Sequence, residues 1–453
     1  MNSITTTKSV TGWRRIILQL KAILQPIDFI EQRTGQYGDF YQVTSNNLPP
    51  SIVTNNPQAI EDILTAPADK LIVGKANKRL GFLVGDNSLL LLDGKKHRQQ
   101  RRLLMPHFHG KSLQQCSEDI VRITNQVSDR LEVNRPFKVR DLTQEITMRV
   151  ILKVVFGLDS GKRQEALREL LSNLLETFNS PLSSSLIFFP WLQQDWGRYS
   201  PWGRFLRLQQ EIKTLIYAEI KERRALLAAN PNYSQDILSL LLLARDKNGE
   251  GMTDEELHDE LITLLFAGHE TTASALAWLF YWVHYVPEVE SKLRFELNNW
   301  SPGDRQTDTL TYLNAVVAET LRIYPIAIGT FIRVLTQPVS IMGHEIAPNT
   351  SLMISIYALH HREDLYPNAP QFNPQRFIDR TYSNYEYLPF GGGNRRCIGS
   401  ALALMEMKLV TATILSRFNL QLVSDRPLKP VRRGVTLAPP ASLTMKITSK
   451  INN

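Results

Sequence analysis

Pro389-Phe390-Gly391-Gly392-Gly393-Asn394-Arg395-Arg396-Cys397-Ile398-Gly399, followed by an apolar helical run, is the stretch that decides the fold. It puts one of only two cysteines where a glycine-rich loop turns into a helix. Backbone N–H groups and the positive end of the helix dipole point at the sulfur there and favour thiolate. Three consecutive glycines let the loop approach a flat partner closely, since no Cβ intervenes. Arg395 and Arg396 add positive charge for a nearby anion. A single thiolate with no second cysteine or nearby histidine cannot build a zinc or iron–sulfur site. It can supply one axial bond to haem iron, where thiolate pushes electron density that favours O–O cleavage.

Phe390, Gly393, Arg395, Cys397 and Gly399 fill every fixed position of Phe-x-x-Gly-x-Arg-x-Cys-x-Gly. The loop therefore resembles the haem-binding signature of the cytochrome P-450 family. The resemblance implies haem b (iron protoporphyrin IX) with a cysteine thiolate axial ligand. Cys397 would be the proximal ligand, Arg395 would pair with a haem propionate, and Phe390 would keep water from the sulfur. It runs from about Gly35 to Ile447 and implies a mainly α fold, one large helical domain with small β-sheets around a buried haem. Residues 35–453 then form a single domain, and 1–34 an N-terminal amphipathic segment.

Composition sets the bounds. A length of 453 residues would by itself suggest about three domains, against the one that the resemblance implies. Two cysteines cannot form a disulfide framework, which points to a reducing, cytoplasmic setting, with Cys116 an ordinary helix residue. A net charge of +8 raises nucleic acid, acidic proteins and anionic membranes as partners. No basic run is interleaved with aromatics in the manner of a single-strand binder, so nucleic acid is excluded. The first 27 residues contain no Asp or Glu. Trp13–Leu24 can form an amphipathic helix on a membrane surface but is too short to span one. A transit peptide shares this composition, and a loosely packed N-terminal helix is an equal reading.

Along the chain, strands are expected at Asp39–Val43 and Ser51–Thr54, with Asn55-Asn56-Pro57 opening a helix. Helical patterns follow through 112–134, 141–157, 163–178 and 203–229, with an apolar loop from Phe178 to Pro201. Thr253-Asp254-Glu255-Glu256 is a capping box opening the longest apolar run. From Ile262 to Val286 only His269, Glu270 and His284 interrupt an apolar or small-residue sequence. A mid-run carboxylate and missing basic flanks favour a helix through a protein core over a membrane span. Residues 340–355 read as a hairpin around Met342-Gly343-His344, and short strands end the chain.

Ala267-Gly268-His269-Glu270-Thr271-Thr272 lies mid-helix. A Thr hydroxyl can compete for a backbone carbonyl, and Gly268 lowers the steric wall, so a small groove with an acid and an alcohol beside it is expected. A zinc-protease reading fails because the second histidine would fall at Ala273. The stretch is similar to the family's oxygen-activation motif, which implies that Glu270 feeds protons through water and Thr271 hydrogen-bonds bound dioxygen. Glu319 and Arg322 sit at i and i+3. They match the family's Glu-x-x-Arg helix, with Arg376 as third member of a structural network; Gln375 stands where the family often has Glu. His97 and Arg101, one helical turn apart, match a propionate-contacting pair, and Arg333 matches another propionate arginine. Lys95, Lys96, Arg98, Arg102 and Arg396 would form a positive face on the thiolate side.

The resulting expectation is a haem-dependent monooxygenase that inserts one atom of dioxygen into a C–H bond of an apolar, lipid-like substrate. Fatty acids, alkanes and terpenes are the candidates. Phe82, Leu83, Phe266, Ala267, Ile328 and Phe331 are expected to line the pocket. No Gly-x-Gly-x-x-Gly is present at 391–399, so electrons would come from an acidic ferredoxin or flavodoxin with its reductase. Peripheral membrane contact remains an option. A haem-thiolate sensor, or a member of the fold that rearranges peroxides, stands as the alternative; Glu270-Thr271 argues against both.

Overall fold

The computed structural model describes residues 4–7, 12–45, 48–108, 110–177, 193–197, 200–233, 236–298, 300 and 307–451. Most of the apolar loop expected between Phe178 and Pro201 lies outside these residues.

A helix from Asp254 to Tyr285 organises the molecule. Its start is fixed by the capping box: Glu256 N–H donates to Thr253 Oγ1 (3.2 Å) and Thr253 N–H to Glu256 Oε2 (2.9 Å). Asp254, Glu255 and Glu256 fill the first turn, where the helix dipole favours anions. At 1.5 Å per residue, 32 residues make a rod of about 48 Å. The rod packs against the helices Val139–Phe156, Pro201–Ala229, Pro287–Leu297, Thr311–Ile323 and Ser400–Arg417. Apolar side chains all round, rather than on one stripe, suit a helix enclosed by protein. Among the described residues no helix is long and apolar enough to cross a membrane.

Much of the β structure lies over a second apolar cluster that includes Ile52, Ile60, Ile63, Leu335, Ile341, Leu352 and Ile354. Its main sheet runs Thr5–Thr6, Phe40–Ser45, Leu48–Thr54, Ser351–Ile354, Arg333–Leu335, Leu71–Ile72. Leu48–Thr54 pairs antiparallel with Phe40–Ser45 and parallel with Ser351–Ile354. Asn56 caps the next helix, Pro57–Thr65, accepting from Gln58 and Ala59 N–H. The expected hairpin over 340–355 is narrower. Val339–Ile341 pairs with His344–Ile346 through a turn in which Met342 and Gly343 both have positive φ (50° and 76°). Such paired left-handed residues match the twist of a tight hairpin. Ser351–Ile354 leaves it to bridge the main sheet, which carries Arg333 on its neighbouring strand.

Of the four helical patterns expected, Gly110–Ser128 stops six residues short of 134, while Val139–Phe156, Lys162–Glu176 and Pro201–Ala229 begin and end within two residues of the expectation. Helix Gly12–Leu24 turns Ile23 inward. It leaves Trp13 (68% exposed), Ile16, Ile17, Leu20 and Leu24 in the solvent at the i, i+3, i+4 spacing of one face. The helix is thus amphipathic, as the sequence pattern leads one to expect.

Candidate active site

The glycine-rich loop folds back on itself. Gly391 N–H donates to Leu388 O (3.0 Å), Arg396 N–H to Gly393 O (3.2 Å) and Cys397 N–H to Phe390 O (2.9 Å). Gly391 and Gly393 have φ of 66° and 65°, a region that glycine adopts without steric cost. Gly392 has a different reason: a Cβ there would sit 2.5 Å from Leu64 Cδ1 on helix Pro57–Thr65. The turn leaves Cys397 three residues before the helix that begins at Ser400.

Cys397 is exposed, whereas Cys116 is half-buried. The protein around the recess still desolvates the Cys397 thiol and pushes its pKa up, opposed by the Gly399 N–H and by Arg101 and Arg396. The expectation that N–H groups, helix dipole and nearby arginines favour thiolate is met only in direction; the Gly399 N–H, Arg101 and Arg396 offset the burial without overcoming it. Cys116 is pushed up to about 11 by burial, with Asp119 and Glu406 adding to it.

Beside the sulfur the chain gathers cations. Helix Gly94–Leu104 buries His97, Gln100 and Leu104 and half-buries Arg101. Burial, with Arg395 and Arg101, pushes His97 down to about 4, so its ring is neutral near pH 7. Arg333 is buried and donates to Thr330 Oγ1 (2.9 Å) and to the carbonyls of Phe331 (3.1 Å) and Gly392 (3.4 Å). Among the described residues no carboxylate pairs with it. Burial, reinforced by Arg395, pushes it down to about 10. Arg395 donates to Leu89 O (3.2 Å), Leu92 O (2.6 Å) and Asp93 Oδ1 (2.8 Å), while its buried Nε has no partner among the described residues. Asp93 already accepts the N–H groups of Val73, Gly74 and Lys75. Among the described residues Asp93 pairs with Arg395 and leaves Arg101 and Arg333 unbalanced, and buried charge is costly without a counter-ion. A dianionic planar ligand, such as a porphyrin with two propionates, fits this donor set.

The second half of the site is on the central helix. From Leu257 to Val283 every residue is buried except Phe266, Ala267, Gly268 and Thr271. Ala267, which is exposed, and Thr271 are one turn apart, so they open on the same face. Thr271 Oγ1 donates to Ala267 O at 2.5 Å, the local competition expected of a mid-helix threonine. The helix nevertheless stays α-helical through this window. Gly268 does not lower the wall of a groove, as the sequence pattern led us to expect. A Cβ there would meet Ile151 Cδ1 at 2.6 Å, so the glycine permits close packing on helix Val139–Phe156.

Glu270 is buried and faces away from solvent. It pairs with Arg140, accepts from Gln144 Nε2 (3.2 Å), and meets Arg433 Nε at 3.0 Å. Burial raises its pKa, but Arg140 and then Arg433 outweigh that and hold it below the usual carboxylate range. His269 is buried beside it, bonded to Thr147 Oγ1 (2.8 Å). Sequence reasoning misses Arg140, Gln144 and Arg433. The available signal is the rule that a buried acid needs a partner; nothing in the chain order says which.

Glu319, Arg322 and Arg376 meet in one network. Arg322 is fork-paired to Glu319 (2.7 and 2.8 Å) and caps the carbonyls of His360 (2.8 Å) and Ala369 (2.9 Å). Arg376 Nε joins Glu319 at 3.2 Å. Of the expected pocket residues, Phe82 and Leu83 lie on a short helix packed against the central helix. Phe82 meets Trp202 at a tilt and Phe205 edge-on, at centroid distances of 5.2 and 5.6 Å. Ile328 and Phe331 are half-buried on the segment leading to Arg333, with Ile328 O accepting from Tyr357 N–H (3.1 Å). A cavity of about 460 Å³ takes in Phe82 alone of the six and is otherwise lined mainly by polar residues such as Lys213, Tyr217, His258 and Asp259.

Known proteins share this arrangement of sequence and fold. Cytochrome P450 135B1 of Mycobacterium tuberculosis is 33% identical over 432 residues, covering 95% of this chain and 88% of its own. Cytochrome P450 135A1 of the same organism is 31% identical, covering 91% and 88%. Neither name states a substrate. Among solved structures, "Retinoic acid bound cyanobacterial CYP120A1" superposes with a TM-score of 0.81 over 96% of each chain, at 22% identity, which speaks to the fold. The family model described as Cytochrome P450 matches residues 13–446, so the match begins inside the N-terminal helix rather than near Gly35. The chain belongs to the cytochrome P450 family, whose members carry a thiolate-ligated haem.

Proposed function

We propose that this member is a monooxygenase for elongated apolar molecules, with Cys397 as the iron ligand. The observation that carries the reading is the pairing of two openings. An exposed cysteine stands beside the buried Arg333 and the half-buried Arg101 and Arg395, and an accessible window at Ala267 and Thr271 interrupts an otherwise buried helix. Haem, when bound, supplies the redox chemistry that activates dioxygen. His97, Arg101, Arg333 and Arg395 would hold its propionates, and Phe390 would shield the thiolate from water. On the opposite side, Thr271 Oγ1 would present a proton and Glu270 would replenish it. Arg140 and Arg433 hold Glu270 ionised, so it would hand on a proton received from water rather than store one.

Phe82, Leu83, Phe266, Ala267, Ile328 and Phe331 come from three chain segments, as ligand sites usually do. Substrate entry is read by the spin-state shift of the haem spectrum. Fatty acids, alkanes or terpenes are expected to produce it, and Phe82→Ala to weaken their binding by about tenfold, in line with about 1–3 kcal/mol for lost apolar contact. A preference for small polar compounds would refute the substrate class.

Lys95, Lys96, Arg98, Arg102 and Arg396 are all exposed, and Arg396 bears electrostatically on both Arg101 and Cys397. This face suits an acidic one-electron carrier of ferredoxin or flavodoxin type. Complementary charge mainly raises association rate and is screened over about 8–10 Å at physiological salt.

A further inference from the structure

The segment from Gly85 to Asp93 runs between the central helix and the cysteine loop, and it is bonded to both. On the helix side, Asp259 Oδ2 accepts Asn87 N–H (2.9 Å) and Asn87 Nδ2 (3.0 Å). Thr263 Oγ1 meets Ser88 Oγ (2.8 Å). Gly85 is pressed so closely that a Cβ would lie 2.1 Å from the Asp259 carboxyl carbon. On the loop side, Arg395 donates to the carbonyls of Leu89 and Leu92 and to Asp93. The middle contact is the unusual one. Glu260, with no exposed surface (0%), accepts Leu89 N–H (2.7 Å) and Gln100 Nε2 (2.8 Å) on the same oxygen, Oε1. Among the described residues its Oε2 is buried with no partner.

We propose that Glu260 is a positioning residue for the cation cluster. It holds the Leu89 peptide, whose carbonyl orients Arg395, and it anchors through Gln100 the helix that carries His97 and Arg101. The inference rests on the reading of that cluster as the propionate site. Two donors converge on Oε1, so Oε1 must act as acceptor, and the neutral carboxyl carries its proton on Oε2. Burial pushes the group up to about 8; Leu89 N–H and Gln100 oppose this, and Asp259 and Glu256 on its own helix add to it. Among the described residues no charged side chain hydrogen-bonds it. Helix Gly94–Leu104 brings Gln100, neutral His97 and Arg101, and the 85–93 segment brings Asp86 and Asp93.

The sign follows from the proton count. The ordinary value is 4.5 and the folded value about 8, so the folded chain holds an extra proton between them. The stabilisation is complete below 4.5 and is lost as pH rises through about 8. His97 titrates near 4, and Arg333 and Arg395 near 10, outside the window from 6 to 9.

The test is haem transfer from the purified holoprotein to excess apomyoglobin between pH 6 and 9. Wild-type release is expected to accelerate above pH 8. Glu260→Gln, which keeps an acceptor in the same place but cannot ionise, should match wild type at pH 7 and stay flat. Glu260→Ala should release haem about tenfold faster at pH 7, the scale of a lost buried hydrogen-bond pair. Leu261→Ala, a cavity of similar depth on the same helix, controls for general destabilisation and should change release less. Equal release from Glu260→Ala and Leu261→Ala, or identical pH profiles for wild type and Glu260→Gln, would overturn the positioning role alone. A wild-type protein that takes up no haem would overturn the functional reading along with it.

Discussion

Arg322→Ala is expected to cost about 3–5 kcal/mol, because removing one partner of a buried pair strands the other charge. Both side chains of the Glu319–Arg322 pair are 0% exposed. The substitution would leave Glu319 with only Arg376 and the Asn373 N–H (2.9 Å), and would free the carbonyls of His360 and Ala369 from their donor. Total stabilities of about 5–15 kcal/mol make this a large fraction, so low yield and a lowered denaturant midpoint are the expected readouts. Arg322→Lys keeps the charge and loses the fork, and should fall between. Arg135→Ala serves as contrast: its bridge to Glu132 is 70% and 65% exposed on the two sides, and its loss should cost under about 1 kcal/mol. Equal midpoints for the two alanine variants would contradict the account.

Thr271→Ala is expected to leave haem binding and the substrate-induced spin shift in place while diverting electrons to hydrogen peroxide. The hydroxyl touches only Ala267 O within the helix, so its loss removes no tertiary contact among the described hydrogen bonds. Proton transfer by a positioned group is worth roughly 10²–10⁴ in rate, enough for peroxide release to outrun product formation. Glu270→Gln should do the same and also destabilise the fold, since Arg140 and Arg433 would be buried without a carboxylate. The measurement is product and peroxide per electron consumed in a reconstituted assay. Unchanged product yield in Thr271→Ala would remove the hydroxyl from proton delivery. In the same assay, reduction by an acidic carrier should slow as salt rises; a rate indifferent to salt would move the docking face elsewhere.

What was legible in the sequence is what local chemistry specifies. The capping box at Thr253 and the cap at Asn56 are written in adjacent residues, and the structure places both. The Glu319–Arg322 spacing puts two side chains on one helix face, and only their third partner needed a family motif. The cysteine loop was legible because positive φ and close approach can be met by few residues besides glycine. What escaped was long-range. Arg140 and Arg433 reach Glu270 from a different helix and from a strand near the end of the chain, and no periodicity encodes that meeting. Gly268 looked like a lowered wall beside a groove and is a packing notch for Ile151, which only the crossing of two helices reveals. Glu260 reads as one more acid in an acidic helix start; its burial against Leu89 and Gln100 gives it a different character.

The central claim is that Cys397 ligates haem iron as a thiolate. Its most direct test is the reduced carbon-monoxide difference spectrum of three proteins. Wild type and Cys116→Ser are expected to show the red-shifted Soret band of thiolate ligation. Cys397→Ser should lose that band, since a serine hydroxyl cannot push electron density into the iron as a thiolate does. A thiolate-type band that survives in Cys397→Ser and vanishes in Cys116→Ser would contradict the assignment.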